Sequence, residues 1–561
     1  MPTALLLPEP LQADSCCNII FSTIYQKESD FVKYAITFDI GTTGVKTCVF
    51  AMSDKIELLA SASKGYKLYV FPDGGAEQDP DEWWAAMCET SKEAIGKSGI
   101  SPEQIEGISF CSQMQGLVLV DKDGVPVRRA MSYMDQRARE ELKKGIAHGV
   151  QIAGASIPIL LKSLMITGAV AASVKDPVWK YNWVKNHEPE NFKRVHKWLD
   201  VKDYLICRMT GKFTMTTDSA FGALLYDLRE GHKCWSASLC KTLGVDVKHM
   251  PEIVSSTSVV GTLRKEQAEQ LGLKEGTAVF GGGGDASLIG VGAGSVALGD
   301  THIYCGTSGW VSTVVDKSIV DASAMIAAII GADEGKYNYF AELETAGKCL
   351  EWVKDHLALD EIGIYLEKKD VTDEYEAKYT SLYDYMTEIC SKVPAGSGGV
   401  IFTPWLHGNR CPFEDPNARG MFFNISLETG KSELIRAVTE GVCYHLRWFM
   451  EAEDKKVKSS EVVRFVGGGA LSPLTCQILS DVLGKKVETV DSAQNVGAVG
   501  AAVTIAVGLG LIKSIGDAKQ LIPATKTYIP NPENKKVYDK AYAVYKELYK
   551  ANKKNFAALN S

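Results

Sequence analysis

The sequence predicts an α/β fold with two related domains, and three observations support this prediction. Short apolar runs rich in β-forming residues alternate with segments of helical pattern. The 561 residues are too many for one hydrophobic core. A strand–turn–strand pattern at Gly41 returns at Gly306, about half a chain later. The sequence therefore indicates two α/β domains that each contribute a hairpin turn to a shared cleft.

The first predicted hairpin lies near the amino terminus. Residues 34–40 are apolar and rich in β-formers, the turn sequence G-T-T-G follows at 41–44, and a second apolar run covers 45–52. Two such runs joined by a short glycine turn predict a β-hairpin rather than a strand-to-helix connection. The segment D-P-D-E at 79–82 then predicts a helix start, with its first residue as the N-cap and its last in the capping-box position.

The same pattern occurs a second time in the middle of the chain. Residues 300–309 (DTHIYCGTSG) resemble residues 37–44 (TFDIGTTG), and a Val-rich run follows each of them. The Gly-rich segments 281–284 and 290–299 precede the second copy, where we expect a flexible crossover between the domains. The carboxyl-terminal segment 531–561 is rich in Lys, has Tyr at helical spacing, and predicts an amphipathic closing helix.

Composition argues against several classes of function. A formal net charge of −8 speaks against a nucleic-acid partner. The apolar run at 163–174 is too short to span a membrane, and the run at 496–512 is rich in Gly and Ala, which predicts a buried packing helix. The cysteines include no C-x-x-C pair, so neither a disulfide scaffold nor a zinc site is expected. No basic region precedes the first apolar cluster, and we therefore predict a cytoplasmic protein that binds no membrane.

The first hairpin turn carries residues suited to phosphate binding. Its small residues let backbone N–H groups and the hydroxyls of Thr42 and Thr43 approach phosphate oxygens closely. Lys46 adds a positive charge, and Asp39 is placed to hold Mg²⁺ through water. A plain hairpin with an exposed Thr-rich turn is the alternative, but the second G-T-S-G, which begins at Gly306, favours phosphate binding.

A third Gly-rich loop, G-G-G at 467–469, lies near the carboxyl end. It follows a strand-like run at 462–466, and Ser472 and Pro473 suit the N-cap and first position of a following helix. Three glycines between a strand and a helix permit close approach of a flat ring or a phosphate, although the full G-x-G-x-x-G pattern is absent. A ligand-binding loop and a purely structural loop both fit this segment.

The run of four glycines at 281–284 ends at a carboxylate, Asp285. Four consecutive glycines cost backbone entropy, which indicates close packing or motion. Phosphoryl transfer to an alcohol needs one carboxylate to accept the hydroxyl proton while other groups hold the phosphates. Asp285 is the candidate for that role. The alternative, which does not exclude it, is an Asp that caps the following helix at 286–291.

Nine motifs occur in the order found in one protein family. They are DIGTTGVK, CSQMQG, MSYMDQRA, PVWKYNWVKNHEPE, VKDYLICRMTGKF, GGGGD, CGTSGW, TPWLHGNRCPFEDPNARGMFFN and FVGGGALSP. From about residue 34 to residue 512 the chain resembles the FGGY-type carbohydrate kinases, and among them the xylulokinases. This resemblance implies two ribonuclease-H-like domains of the actin and Hsp70 superfamily, with the active site in the cleft between them.

The resemblance also divides the chain. It implies an N-terminal kinase domain at 34–297 that binds the sugar and carries the catalytic Asp, and a C-terminal nucleotide-binding domain at 298–525. A helical tail follows at 526–561. Residues 1–33 are expected to form a disordered extension.

Individual site residues follow from the same resemblance. Asp285 matches the family's catalytic base and also contacts the sugar, and Asp39 matches its metal-linked aspartate. The residues that match the nucleotide-binding loops are Gly41, Thr42, Thr43, Lys46, Gly306, Thr307, Gly468, Gly469 and Ala470. The other residues that match the sugar pocket are Gln113, Met114, Gln115 and Asp135.

The implied reaction uses ATP and Mg²⁺ to phosphorylate a terminal hydroxyl of a ketopentose, with D-xylulose and its 5-phosphate as the leading pair. Gln115 stands where xylulokinases usually have His, Ala286 where they have Asn, and Asn409 where they have Glu; these departures loosen the substrate assignment. Ribulose, another ketose or a polyol such as erythritol stay open, as does a non-catalytic sugar sensor. A filament-forming or chaperone ATPase would need insertions that the sequence lacks. A homodimer is compatible with the sequence.

Overall fold

The computed structural model describes residues 32–152, 154–358 and 382–560. Within them, two mixed β-sheets flanked by helices form the predicted α/β fold. The predicted extension lies outside these residues except for its last two, and Lys33 is the first residue of the first strand. No helix in the described part is long and apolar enough to cross a membrane.

The first sheet is built from the amino-terminal half. Its seven strands are β1 (Lys33–Ile40), β2 (Gly44–Met52), β3 (Ile56–Gly65), β4 (Ile105–Ser112), β5 (Val259–Thr262), β6 (Ala278–Phe280) and β7 (Gly283–Gly284). They lie in the order β5-β6-β4-β1-β2-β3, and β7 pairs with β4. β1, β2 and β3 are antiparallel neighbours, whereas β4 runs parallel to both β1 and β6.

The second sheet is built from the carboxyl-terminal half. Its eight strands are β8 (Thr301–Cys305), β9 (Gly309–Val315), β10 (Val320–Asp321), β11 (Ile326–Ile330), β12 (Tyr337–Leu343), β13 (Val462–Val466), β14 (Lys486–Val490) and β15 (Ala524–Tyr528). They lie in the order β10-β11-β12-β9-β8-β13-β14-β15. β8 is antiparallel to β9 and parallel to β13.

The two sheets share the connectivity of five strands and differ at their edges: β5 precedes β6 in the chain, whereas β15 follows β14, and β10 and β11 extend only the second sheet. Each has an antiparallel trio, β3-β2-β1 in the first sheet and β12-β9-β8 in the second. Two parallel strands then extend each sheet, β4 and β6 or β13 and β14, and one antiparallel strand closes it. The repeated hairpin in the sequence therefore reflects two related halves whose five core strands have the same topology.

Nine helices cover the sheets or position the site. They are α1 (Pro80–Ser98), α2 (Pro177–His187), α3 (Val201–Thr210), α4 (Thr217–Gly222), α5 (Asp285–Gly292), α6 (Lys431–Glu453), α7 (Pro473–Leu483), α8 (Val496–Gly508) and α9 (Pro532–Asn560). Further α-helices cover Arg139–Ile146, Ile157–Thr167, Pro189–Phe192, Ala237–Thr242, Lys265–Leu271, Gly347–Val353 and Leu382–Ser391. Outside these sheets, Tyr69–Val70, Ala76–Gln78 and Ala130–Met131 form a small three-stranded sheet. The short strands that form pairs are Val118–Val120, Gln151–Ile152, Ala155–Ser156, Lys197–Leu199, Thr214–Thr216, Glu252–Val254, Ile401–Phe402 and Phe422–Phe423.

Helices α5 and α8 lie between the two sheets and form the centre of the molecule. Their apolar residues share one buried cluster with side chains of both sheets, such as Phe50 and Val466. The hydroxyls of Ser109 on β4 and Thr504 on α8 lie 2.8 Å apart. α8 is buried along most of its length, which confirms the packing helix predicted from its Gly/Ala-rich sequence. A helix of the carboxyl-terminal half thus covers the first sheet.

The remaining apolar clusters cover the outer faces. α1 and α3 pack on the first sheet in one cluster, and α6, α7 and α9 form another with the second sheet. α9 buries a row of tyrosines that includes Tyr538 and Tyr545, which confirms the predicted closing helix. A further cluster holds the segment between β4 and β5 together, around Trp179 and Trp198. All cysteines in the described part are free thiols.

Two local predictions are wrong. Asp79 caps α1 as predicted, but the carboxylate of Glu82 accepts hydrogen bonds from the Tyr69 hydroxyl and the Lys67 N–H instead of closing a capping box. Most of the glycines expected to form a flexible crossover are closely packed, whereas a Cβ on Gly299 would meet nothing within 4 Å. A Cβ on Gly292 would lie 1.8 Å from the carbonyl oxygen of Val496, so its absence lets α5 and α8 touch.

Candidate active site

The candidate site lies where three parallel strands of the first sheet end. Asp39 is next to last in β1 and pairs in register with Cys111 on β4. Gln113 directly follows β4, and β7, which pairs with the end of β4, leads into Asp285. Because the carboxyl ends of parallel strands meet at one edge of a sheet, the fold brings these three predicted residues together.

Asp285 is the first residue of α5 and is half-buried. Its Oδ1 accepts a hydrogen bond of 2.8 Å from the N–H of Ala286. Burial raises the pKa of Asp285 to about 7; the Ala286 hydrogen bond opposes this rise, and the negative charges of Asp39, Glu342 and Asp200 add to it. A carboxylate with a pKa near neutrality is suited to accept a proton during a reaction and release it afterwards.

The four glycines before Asp285 allow neighbouring chains to approach closely. Gly282 has a φ of +62°, and a Cβ there would lie 2.3 Å from the carbonyl oxygen of Phe110. A Cβ on Gly284 would lie 2.2 Å from Sδ of Met114. The glycine run therefore presses the start of α5 against β4 and against the predicted sugar-pocket residue Met114.

A buried carboxylate, Asp218 on α4, fixes the start of α5. Its Oδ2 accepts a hydrogen bond of 2.7 Å from the N–H of Gly284 and a short one from the hydroxyl of Ser287. Burial alone would raise the pKa of Asp218, but the charge of Lys202 and the hydrogen bonds from Ser287, Thr216 and Gly284 outweigh it and lower the pKa. Asp218 is therefore ionised near neutral pH and anchors the backbone next to Asp285.

Asp39 faces the first turn of α8. A Cβ on Gly497 would lie 3.0 Å from its Oδ2, so the helix approaches the carboxylate closely. Burial raises the pKa of Asp39, while the charge of Lys46 and a hydrogen bond with Cys111 oppose the rise. Lys46 Nζ donates to the carbonyl oxygen of Gln494, 3.0 Å away, which links the first hairpin to the start of α8.

The site fits a magnesium ion held largely by water and phosphate. Carboxylate oxygen is the ligand that Mg²⁺ prefers, and Asp39 supplies one at the cleft. No cluster of three or more potential metal ligands occurs among the described residues. Mg²⁺ usually keeps several waters and uses one or two carboxylates plus substrate phosphates, so one aspartate beside the predicted phosphate-binding turn would suffice.

The first hairpin turn is tight and open to solvent at its tip. Gly41 N–H donates to the carbonyl oxygen of Gly44 at 2.9 Å, and the hydroxyl of Tyr66 donates to the carbonyl oxygens of both glycines. Thr43 is exposed, and the hydroxyl of Thr42 lies 3.4 Å from that of Tyr133. The turn therefore presents threonine hydroxyls and backbone on a rigid support, as phosphate binding requires.

The second turn has a different support. Gly306 N–H donates to the carbonyl oxygen of Ser308 at 3.0 Å, and the Gly306 carbonyl oxygen accepts from the N–H of Gly347 at 2.8 Å. Thr307 is exposed, and its carbonyl oxygen accepts from the N–H of Lys348 at 3.2 Å. The backbone of the exposed Lys348, which was not among the site residues predicted from the sequence, therefore lies next to the second turn.

The third Gly-rich loop follows β13, as predicted, and leads into α7, with Ser472 as its N-cap. Gly467 has a φ of +90°, and a Cβ there would lie 2.6 Å from the carbonyl oxygen of Cys305 at the end of β8. Gly468 is exposed and would meet nothing within 4 Å, whereas Ala470 is buried. The loop is thus packed on the second sheet on one side and open at Gly468 for a ligand.

Gln113 presents an unused acceptor. Its N–H donates to the carbonyl oxygen of Ile40, and its Nε2 donates to Oε1 of Gln78 at 3.0 Å. Gln78 in turn donates to the carbonyl oxygen of Thr42 at 2.7 Å. The Oε1 of Gln113 is buried and has no hydrogen-bond partner within the described chain. A buried acceptor of this kind is costly unless a ligand hydroxyl pairs with it.

Gln115 is held by a charged pair behind it. Its φ is +61°, and its N–H donates to Oδ2 of Asp200 at 3.0 Å, while its carbonyl oxygen accepts from Lys180 Nζ at 2.7 Å. Burial raises the pKa of Asp200 to about 7, with the charge of Asp203 adding to the rise, and burial lowers the pKa of Lys180 to about 8. These groups hold the backbone of the predicted sugar-pocket segment at 113–115.

Asp135 is buried and already engaged. Its carboxylate accepts from the N–H of Ala76 at 2.9 Å and pairs with the guanidinium of Arg137, with Nη2 at 2.7 Å from Oδ2. In this conformation it stiffens the segment that follows the predicted pocket residues. Direct contact between Asp135 and a sugar stays a prediction.

Comparison with known protein families identifies the family of this chain. The N-terminal domain of the FGGY family of carbohydrate kinases matches residues 34–292, and the C-terminal domain of that family matches residues 302–509. The chain belongs to the FGGY family of carbohydrate kinases. As an FGGY kinase it is a phosphotransferase that acts on a sugar hydroxyl and uses ATP, and its two halves are the ribonuclease-H-like domains of this fold.

The relatives of this FGGY kinase include kinases of different sugars. The xylulose kinase of Bacillus subtilis is 28% identical over 531 residues, which cover 94% of this chain and 99% of the relative. A ligand-bound xylulose kinase from Lactobacillus acidophilus superposes with a TM-score of 0.78 at 26% identity, and a gluconate kinase from the same organism with 0.77 at 26%. Both alignments cover 94% of this chain and 100% of the other. The names of the relatives therefore do not identify the sugar that accepts the phosphate.

Two further residues of this FGGY kinase reach the cleft from the second half. Glu342 on β12 adds negative charge near Asp285. Arg410 Nη1 donates a hydrogen bond of 2.6 Å to Oε2 of Glu342. Neither residue was among the site residues predicted from the sequence. No local pattern marks Glu342, because only the fold of β12 beside β9 brings it to the site.

Proposed function

We propose that this protein transfers the γ-phosphate of ATP to a terminal hydroxyl of a ketopentose, with D-xylulose as the substrate and D-xylulose 5-phosphate as the product. The observation that carries the proposal is Asp285, a half-buried carboxylate at the edge of the first sheet whose pKa lies at about 7. Xylulose kinases are among the relatives that align over nearly the whole chain, which supports this choice of acceptor.

In the proposed reaction the sugar is the nucleophile. Asp285 accepts the proton of the terminal hydroxyl as the hydroxyl oxygen forms a bond to the γ-phosphorus of ATP. The bond from that phosphorus to the bridging oxygen breaks, and ADP leaves with the charge of the bridging oxygen. We propose that the turns at Gly41 and Gly306 hold the phosphates and that the loop at 467–470 lies beside adenosine.

We propose that Mg²⁺ is held near Asp39 through water. When bound, the ion would neutralise charge on the phosphate oxygens. Lys46 lies in register with Asp39 and adds a fixed positive charge to the same edge of the cleft. The hydroxyls of Thr42 and Thr43 orient the phosphates without adding charge of their own.

The charges around Asp285 favour a neutral sugar over an acidic one. The three charged side chains that shift its pKa, Asp39, Glu342 and Asp200, are all acidic. A carboxylate such as that of gluconate would be repelled near these groups, whereas hydroxyls could donate to them. The unused Oε1 of Gln113 needs a donor, which a hydroxyl of the acceptor supplies.

A panel assay tests the proposal. ADP release would be measured with MgATP and D- or L-xylulose, D- or L-ribulose, erythritol, glycerol or D-gluconate, for the wild type and for Asp285→Asn. We expect strong turnover with D-xylulose that the variant loses while it still binds ATP. Preference for ribulose or erythritol would keep the kinase chemistry and replace the substrate. No stimulation by any acceptor would favour a non-catalytic sugar sensor and overturn the proposal.

A further inference from the structure

A surface depression separate from the cleft loops lies between α6, α9 and the segment around Pro412. It encloses about 260 Å³. α6 contributes Trp448 and Ala452, α9 contributes Tyr549, and Phe413 completes the apolar part of its wall. None of these residues belongs to the proposed site of phosphoryl transfer.

The floor of this pocket is aromatic. The rings of Phe413 and Tyr549 stack with their centroids 3.5 Å apart at an interplanar angle of 14°, and Trp448 lies 5.5 Å from Phe413 at 51°. Phe413 and Trp448 are only half-buried, so part of their ring surface faces the pocket. Ring faces and edges held by mutual packing form a ready surface for another flat ring.

The rim of the pocket is basic. Lys455, Lys546 and Lys550 line it. Lys546 Nζ lies 3.0 Å from Glu451, and Lys550 pairs with Glu547 at the surface. Lys455 is exposed, and no ion pair or hydrogen bond of its side chain occurs within the described residues. The rim therefore carries one uncompensated positive charge beside an aromatic floor.

We propose that this pocket binds a small organic anion with a single aromatic ring, such as an aryl carboxylate or an aryl phosphate. The ring would lie against Phe413 and Trp448, and the anionic group would pair with Lys455. The volume is near the lower limit for ligand pockets, which suits one ring and one anionic group rather than a whole nucleotide. This inference goes beyond the proposed function, because it concerns a separate site.

The pocket shares a chain segment with the cleft, which gives such a ligand a means to act on the kinase. The carbonyl oxygen of Phe413 accepts a hydrogen bond of 2.8 Å from Nδ2 of Asn409. The next residue, Arg410, pairs with Glu342, which adds negative charge near Asp285. A ligand that moves Phe413 therefore acts on the segment that carries Arg410.

Phenyl phosphate is a suitable probe, and isothermal titration calorimetry with MgADP present would keep the phosphate loops of the cleft occupied. We expect phenyl phosphate to bind the full chain, and Lys455→Glu to weaken binding at least about tenfold. The matched control Lys458→Glu, an equal charge change outside the pocket, should bind like the wild type. Trp448→Leu should weaken binding too, because it removes part of the floor.

Three outcomes would overturn the pocket assignment. They are no heat with the wild type, equal binding by Lys455→Glu and the wild type, and equal binding of inorganic phosphate and phenyl phosphate. Benzyl alcohol, which keeps the ring and lacks the charge, should bind far more weakly. Because calorimetry reads binding directly, the result does not depend on which sugar the kinase phosphorylates.

Discussion

The two halves of the molecule share a scaffold but place different chemistry on it. In the first half, Asp39 lies two residues before the turn glycine of the hairpin; in the second, Tyr304 holds that place before Gly306. In the first half, the helix that follows the second parallel strand begins at Asp285; in the second, the equivalent helix α8 begins at Val496. One half therefore carries two carboxylates where the other carries none.

This difference fits a division of labour between a proton acceptor and an anion site. A carboxylate is useful where a hydroxyl must be deprotonated and where Mg²⁺ is held. The same carboxylate would repel a triphosphate, so a half that binds the nucleotide gains from uncharged groups at the matching places. Tyr304, stacked on Trp310 with centroids 4.1 Å apart, fills its place with an aromatic ring instead.

The largest effect is expected at the start of the two equivalent helices. Asp285→Asn removes the proton acceptor and should lower kcat about 10²- to 10⁴-fold, measured by coupled ADP release with the best sugar. Its counterpart is Asp491→Asn, which changes an exposed carboxylate in the connection before α8 and should change kcat by less than about twofold. Equal losses in both variants would show that the two halves do not differ in this way.

The next largest effect is expected at the matching hairpin positions, Asp39 and Tyr304. Asp39→Asn should raise the Mg²⁺ concentration for half-maximal activity about 10- to 100-fold, because it removes a group that holds the ion through water. Tyr304→Phe, at the matching place, should leave that concentration unchanged. Titration of activity with Mg²⁺ after removal of metal by EDTA measures both. An unchanged Mg²⁺ requirement in Asp39→Asn would contradict the proposed metal site.

The pH dependence sharpens the role of Asp285. Its pKa lies at about 7, so below pH 7 the carboxyl is protonated and cannot accept a proton, whereas above pH 7 it is ionised. We expect kcat/KM for the sugar to rise with pH, to inflect near 7, and to fall about tenfold for each pH unit below that value. Residual activity of Asp285→Asn should lack this inflection. An inflection below pH 5 in the wild type would contradict the assignment.

Substitutions in two of the glycine loops should differ in their effect on the free energy of unfolding. Gly282→Ala forces a Cβ against the carbonyl oxygen of Phe110 at a φ of +62° and should lower the free energy of unfolding by about 1–3 kcal/mol. Gly468→Ala adds a Cβ in open space and should leave that free energy nearly unchanged, while KM for ATP rises if the loop lies beside adenosine. Urea denaturation and ATP kinetics separate these effects. Equal destabilisation would contradict the packing argument.

Interactions between residues close in sequence made much of the fold and the candidate site predictable. The two G-T-[ST]-G hairpins, the Asp79 cap and the helix start after Ser472 depend on residues within a few positions of one another. Asp285 could be singled out because four glycines precede it. Local chemistry also misled at Glu82, where the capping-box pattern was right in spacing but Tyr69 and Lys67 bind the carboxylate instead.

The charged surroundings of the site were not predictable in the same way. Asp200 and Lys180 lie behind Gln115 because separate helices pack there, and Glu342 reaches the cleft from the other half of the chain. Their roles depend on burial, which shifts the pKa of Asp200 and Lys180 and which no short motif encodes. Long-range packing, rather than residue type, sets these properties.

The position of α8 has a consequence for how the chain folds during synthesis. The ribosome completes the strands of the first sheet early, but the helix that covers β1 and β4 is made only near the end of translation. Until Gly508 has left the ribosome, the nascent first sheet has one apolar face without its native cover. Exposed apolar surface of this kind favours aggregation, so we expect the amino-terminal half to be a poor candidate for expression on its own.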